Sequence, residues 1–162
     1  MNRRDRLHHQ PIINRPKLFL KNNKKIILWV IVNLEVWDPD LPQPRNILPP
    51  PMNVPMLPDL PNWSWHEYGM RVGFWRMFKA LKDRGIPSTL ALNATVVDHY
   101  PETVEAAMKE NWEPMGHGYI QRPMHKVENQ FVDIKSAIKK IKDFTKQDVI
   151  GWESPGLTET ND

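Results

Sequence analysis

Cysteine is absent from this sequence. Its absence removes disulfides, thiolate metal sites and a cysteine nucleophile, so any metal would have to be held by His, Asp or Glu. The chemistry left open is that of oxygen and imidazole. Long apolar runs are lacking too: IILWVIV, at 26–32, falls far short of the roughly 20 residues a membrane helix needs. A secretion signal is also missing, because MNRRDRLHHQP is basic and polar, with no apolar stretch ahead of the first prolines. These absences point to a soluble, cytoplasmic protein with no membrane partner.

The 162 residues fit one domain with a real core. Their formal charge of +3 is unevenly spread. Residues 1–25 hold Arg3, Arg4, Arg6, Arg15, Lys17, Lys21, Lys24 and Lys25 against Asp5 alone, so the remainder is net acidic. A basic arm can contact nucleic acid or an anionic surface. This one has no interleaved aromatics and no binding motif. It reads as a solvated leader over 1–24 packed against a body at 25–162, and no nucleic-acid partner is expected.

KKIILWVIVNLE is rich in branched residues and bounded by lysines. It suits a strand buried on both faces, as in a parallel sheet covered by helices. From Asp38 to Asn62, nine of 25 residues are proline, which excludes helix and regular ladder alike. The apolar residues of that loop argue against free disorder and place it on the body near a site. YGMRVGFWRMFKALKDRG then carries Arg71, Phe74, Trp75, Phe78 and Leu81 at helical spacing, with Gly85 as C-cap. PSTLALN (87–93) reads as a strand, PETVEAAMKENW as a helix opened by proline, and the segment around Met115 as a short strand ending at His117. NQFVDIKSAIKKIKDFTK sets Phe131, Ile134, Ile138, Ile141 and Phe144 along one helical face, with its lysines solvated. DVIGW is a last strand. Four strands alternating with three helices give an α/β chain of parallel βα units.

In such units reactive residues gather at the carboxyl ends of strands. Glu35 ends the first strand, Asn93 the second, His117 the third, and Trp152 with Glu153 the fourth. A carboxylate and an imidazole meeting across strand ends could act as base and acid, or as metal ligands. An acid following seven apolar residues is costly inside a sheet without a partner or a task, which singles out Glu35. His117 stays open at this point between a working residue and a turn residue. His8, His9, His66, His99 and His125 read as ordinary surface histidines, with His66 in an irregular segment. Trp63, Trp65, Trp75, Trp112 and Trp152 read as core or loop anchors, Trp63 and Trp65 leaving a sugar platform open.

The order VNLEVWD, then YGMRVGFWRMFKALKDRGIPSTLALNATVVDHYPE, NWEPMGHGYIQRP and GWESPGLTETND resembles the polysaccharide deacetylase (NodB homology) family, and within it the allantoinase-like branch. The similarity runs from about Pro11 to the last residue. It implies a deformed (β/α) barrel that hydrolyses a carbon–nitrogen bond outside peptides, in an N-acetylated sugar or a small cyclic amide. In the family an acidic pair on the first strand supplies a base and a metal ligand, and two histidines supply the other ligands, for a divalent metal such as zinc. Carried over, Glu35 matches the first acid and Val36 replaces the second; His117 matches the first histidine and Gln121 replaces the second. The resemblance thus assigns Glu35 and His117 to catalysis and Asn93, Tyr119 and Trp152 to substrate binding. Of the expected metal ligands it leaves His117, beside the carboxylate of Glu35.

A closed (β/α) barrel runs to about 250 residues, so this chain reads as the first half or so of one. Its open sheet would expose an edge that invites aggregation or pairing into a homo-oligomer. Two functions fit: a hydrolase of non-peptide carbon–nitrogen bonds, or a catalytically inactive remnant that serves as a ligand-binding module of the same fold.

Overall fold

The computed structural model describes residues 8–43 and 47–160. Arg3, Arg4 and Arg6 of the basic leader lie outside them, as do 44–46 of the proline-rich loop. Four strands form one parallel sheet in sequence order: β1 Ile31–Leu34, β2 Thr89–Leu92, β3 Glu113–Gly116 and β4 Gly151–Trp152. Its register aligns Leu34 with Leu92, Leu92 with Gly116 and Gly116 with Trp152. Each crossover carries helix, as parallel pairing requires.

The first crossover holds the longest helical run. α1, Leu60–Tyr68, opens on Asp59, whose carboxylate accepts from the Asn62 amide at 3.2 Å. A π turn, Gly69–Gly73, joins it to α2, Phe74–Lys82, with helical backbone throughout. The helix therefore begins inside the segment that proline content marked as non-helical. Pro61 is tolerated because it sits in the first turn, where its missing N–H has no helical partner to lose. In the second crossover lie α3, Val96–His99, and α4, Pro101–Lys109; in the third, α5, Gln130–Thr145, capped by Asn129 accepting from Val132 N at 3.1 Å.

Leu34, Leu90 and Leu92 of the sheet meet Phe74, Val104, Trp112 and Ile141 of the helical layer in one core. Phe74, Phe78 and Trp112 form a ring cluster, with centroids 5.5 Å apart for both Phe74–Phe78 and Phe78–Trp112. The helical layer is braced at Glu67, which accepts from Arg71 Nε at 2.7 Å and from the Tyr100 hydroxyl. Burial, then that bond, push the Tyr100 hydroxyl up to about 12.

Three expectations need correction. The apolar run 26–35 yields a strand only at 31–34, with Ile31 and Asn33 exposed and Val32 and Leu34 buried. A run that reads as buried on both faces thus has one face open, and β1 is also an edge strand, pairing only with β2 among the described residues. Ile26 to Trp29 are 63–82% exposed, although the Trp29 indole reaches Thr89 Oγ1 at 2.8 Å. In the loop, Asn62 clasps Leu48 by both its N–H and its C=O, and Gln43 is buried, but Met52, Val54, Met56 and Leu57 are exposed. On α5, Phe131 is exposed beneath Lys135, and Ala137 with Ile141 make the buried contact.

Two substitutions probe this packing. Trp112→Ala should cost about 3–5 kcal/mol, a large part of a domain's usual 5–15. Urea unfolding should show a lower midpoint at unchanged slope; an unchanged midpoint would remove Trp112 from the core. Gly118 has φ +82°, and a Cβ there would lie 2.7 Å from Pro155 Cγ. Gly118→Ala should therefore be destabilising by roughly 1–3 kcal/mol, from strain and overpacking together. A neutral result in the same measurement would show that the turn is not held as described.

Candidate active site at the strand ends

Side chains alternate along a strand with a period of two. Since Leu34, Leu92, Gly116 and Trp152 are in register, the residues that follow them, Glu35, Asn93, His117 and Glu153, form a row at the carboxyl ends of all four strands. The row lies on the face opposite the leucine core.

His117 is the centre of that row and is 2% exposed. Its Nε2 lies 3.1 Å from Glu35 Oε1, and its Nδ1 lies 2.8 Å from the Glu153 backbone oxygen. A carbonyl oxygen only accepts, so Nδ1 carries a proton. Nε2 then faces a carboxylate oxygen, and the contact needs a second proton. That proton is shared between Nε2 and Glu35, and the raised pKa of His117 favours the ring as its holder. Burial pulls the His117 pKa down, but the bonds to Glu35 and the Glu153 backbone, with the charges of both carboxylates, outweigh it and leave it raised. The Glu153 carboxylate stands 3.9 Å from Nδ1 and accepts from Asn33 Nδ2 at 3.1 Å.

Glu35 is held at both oxygens, since its Oε2 accepts from the Trp37 indole at 3.0 Å. Asn93, fully buried, ties three strand ends. Its Oδ1 accepts from Val36 N at 2.9 Å, and its Nδ2 donates to the His117 carbonyl and, at 2.9 Å, to Gln121 Oε1. Both amide hydrogens are thus used within the protein, and Asn93 shapes the site.

The two glycines beside His117 have separate reasons. A Cβ on Gly116 would meet the Trp152 ring at 2.7 Å, and Gly118 turns the chain with positive φ. Trp152 therefore packs on the core side of the sheet, away from the pair, and Glu153 takes the place expected of it. Tyr119 also packs on the core, with Lys140 Nζ 5.9 Å from its ring centroid. The structure thus gathers Glu35, Asn93 and His117 and leaves Tyr119 and Trp152 elsewhere.

Trp37, Asn33 and His66 were not legible as site residues. His66 lies on α1, its ring stacked on Trp37 at 4.6 Å with a 20° interplanar angle. Burial, against the charges of Glu35 and Asp59, lowers its pKa, so the imidazole is neutral. Its Nε2 is buried without a hydrogen-bond partner among the described residues. The signal that could have found it is Asp59 followed by Leu60-Pro61, an N-cap and a first-turn proline that start a helix ahead of Trp63. His8, His9, His99 and His125 are exposed, as expected of ordinary surface histidines.

Trp37 borders three clefts. One of about 510 Å³ runs from Asn33, Glu35 and His66 to Met70 and Phe74. Another, of about 380 Å³, is lined by Val36, Trp63, Glu67, Tyr100 and Gln121. The third, about 490 Å³, lies between Gln43, Gln121, Arg122 and Lys126. All are in the size range of small-molecule sites.

The divalent metal implied by the resemblance does not fit these donors. A catalytic zinc site needs three protein ligands and an open position. No group of three His, Cys, Asp or Glu side chains able to hold a metal occurs among the described residues. Val36 packs against the core, and the Gln121 oxygen is bonded to Asn93.

Comparison with known proteins gives the family. The polysaccharide deacetylase family model matches residues 65–162. No curated protein matches the chain. A probable polysaccharide deacetylase of Pseudomonas aeruginosa PAO1 is similar at 29% identity and TM-score 0.59, over 67% of this chain and 36% of its own. PuuE allantoinase is similar at 27% and 0.58, over 63% and 34%. A CE4-family pseudoenzyme from Bacillus anthracis shares the fold at 18% identity and TM-score 0.50, over 54% of this chain and 32% of its own. The chain spans about a third of the length of each of these structures. With a family model covering well over half of it, a parallel sheet in barrel order and an acid–imidazole row at the strand ends, this chain belongs to the polysaccharide deacetylase family.

Proposed function

We propose that Glu35 and His117 belong to the hydrolytic centre of an enzyme that cleaves carbon–nitrogen bonds other than peptide bonds, in an N-acetylated sugar or a small cyclic amide. The observation that carries this reading is the 3.1 Å contact between a carboxylate and a buried imidazole on separate strand ends. Each Glu35 oxygen receives one hydrogen bond and keeps a lone pair free. Glu35 takes a proton from water as the water oxygen attacks the amide carbonyl, and returns it to the nitrogen as the carbon–nitrogen bond breaks. His117 orients the carboxylate and balances its charge. No step runs through a metal.

The second reading is a ligand-binding module. It is favoured by the engagement of both His117 nitrogens and both Asn93 amide hydrogens, and by Val36 and Gln121 at the replaced positions. One similar structure is itself named a pseudoenzyme.

Acetate release from N-acetylglucosamine oligomers and ring opening of allantoin test the first reading. Glu35→Gln should lower turnover about 10²- to 10⁴-fold, the usual worth of a general base, with the fold retained. Turnover equal to that of the unaltered protein would refute the role of Glu35. Ligand-induced NMR shifts without product would select the binding module.

The pair also sets a pH dependence. NMR titration should find His117 above its ordinary 6.5, and Glu35→Gln should bring it down. A group whose pKa is raised on folding stabilises the fold below its unfolded value and loses that contribution as pH rises through the folded one. His117's contribution to stability should thus be present below pH 6.5 so long as the Glu35 carboxylate is ionised, and be lost as pH rises through the raised folded value. A His117 titration that ignores Glu35→Gln would show the two are not coupled.

A further inference from the structure

Trp37 is fixed on three sides. Its carbonyl accepts from the Trp63 indole at 3.1 Å, its ring stacks on His66, and its own indole N–H donates to Glu35. Trp63 and His66 are three residues apart on α1 and share one helical face. The helix therefore grips Trp37 by its backbone and its ring at once, and the only hydrogen that grip leaves to the indole is aimed at Glu35. Meanwhile His66 Nε2 has no partner among the described residues, and burial keeps the ring uncharged. What the fold uses here is the plane of the imidazole, not its proton chemistry.

We propose that His66 is a positioning residue for the carboxylate of Glu35, acting through the Trp37 ring it stacks on. Its role in hydrolysis rests on the reading of Glu35 as the hydrolytic carboxylate; its action on Trp37 does not. Removing the ring frees Trp37 to turn about its side-chain bonds, and Glu35 Oε2 loses its donor. The carboxylate then depends on His117 alone. A flat apolar ring of similar size restores the stack, because nothing among the described residues bonds to the imidazole Nε2.

The test uses the whole chain with ¹⁵N-labelled tryptophan. Trp37→Phe assigns the indole resonance. In His66→Ala the Trp37 indole N–H should lose its hydrogen-bonded shift and exchange faster with water, while the other indoles keep theirs; in His66→Phe both properties should return. On an active enzyme, His66→Ala should lower kcat about 10- to 100-fold, as misplacement of a reacting group does, with KM little changed, and His66→Phe should recover it. If the Trp37 indole is unmoved in a folded His66→Ala protein, or if His66→Phe fails to restore it, the proposal is overturned. If the indole responds as stated while no variant, nor the unaltered chain, hydrolyses either substrate, the positioning stands and the hydrolytic reading falls.

Discussion

One contact organises the mouth of this sheet: the His117 imidazole between the Glu35 carboxylate and the Glu153 backbone. A neutral imidazole can donate from only one nitrogen, so a ring set between a carbonyl and a carboxylate shares a further proton with that carboxylate. Charge buried to this degree is tolerable only with partners on every polar atom. The partners come from β1 and from the residue after β4, so the strands must stay in register for the charge to be held. Asn93 supplies the intervening link, bonding both the β1 and β3 ends. Site and sheet are in this sense one object: a slip of one residue in any strand would send its end group to the core face.

The second feature is the use of small residues beside large ones. Gly116 leaves room for the Trp152 ring beside β3, and Gly118 lets the chain turn back toward Thr95, whose amide donates to the Tyr119 carbonyl at 3.1 Å. His117 is buried because both neighbours give up their side chains to let other groups close over the backbone. The glycine–histidine–glycine sequence is therefore a packing solution as much as a chemical one.

Much of this was readable in the residues. The βα alternation, the parallel sheet, the strand-end location of Glu35 and His117, and the departures at Val36 and Gln121 follow from apolar runs, caps and motif order. What could not be read turns on single positions. Whether Trp152 or Glu153 joins the row depends on strand parity, and a strand of two residues gives too little pattern to fix it. An unbroken apolar run does not say which of its faces is covered, and β1 has one open. His66 was hidden because proline density argued for loop, while a cap and one well-placed proline decided for helix.

The π turn at Gly69–Gly73 has a further meaning for how the chain tolerates change. A π turn carries one more residue than the α turn it replaces, and each residue advances a helix by about 100°. Were the same residues wound as regular α-helix, α1 and α2 would stay individually intact but one would be rotated against the other by up to about that angle, whereas loss of a single residue would let an α turn replace the π turn with both faces near their present directions. In that regular winding the face with Trp63 and His66 and the face with Phe74 would no longer point to their partners together. Five residues thus act as a phase adjuster between the layer that makes the protein stable and the side chains that surround its carboxylate, and the winding of this segment, more than its exact length, keeps the two faces aligned.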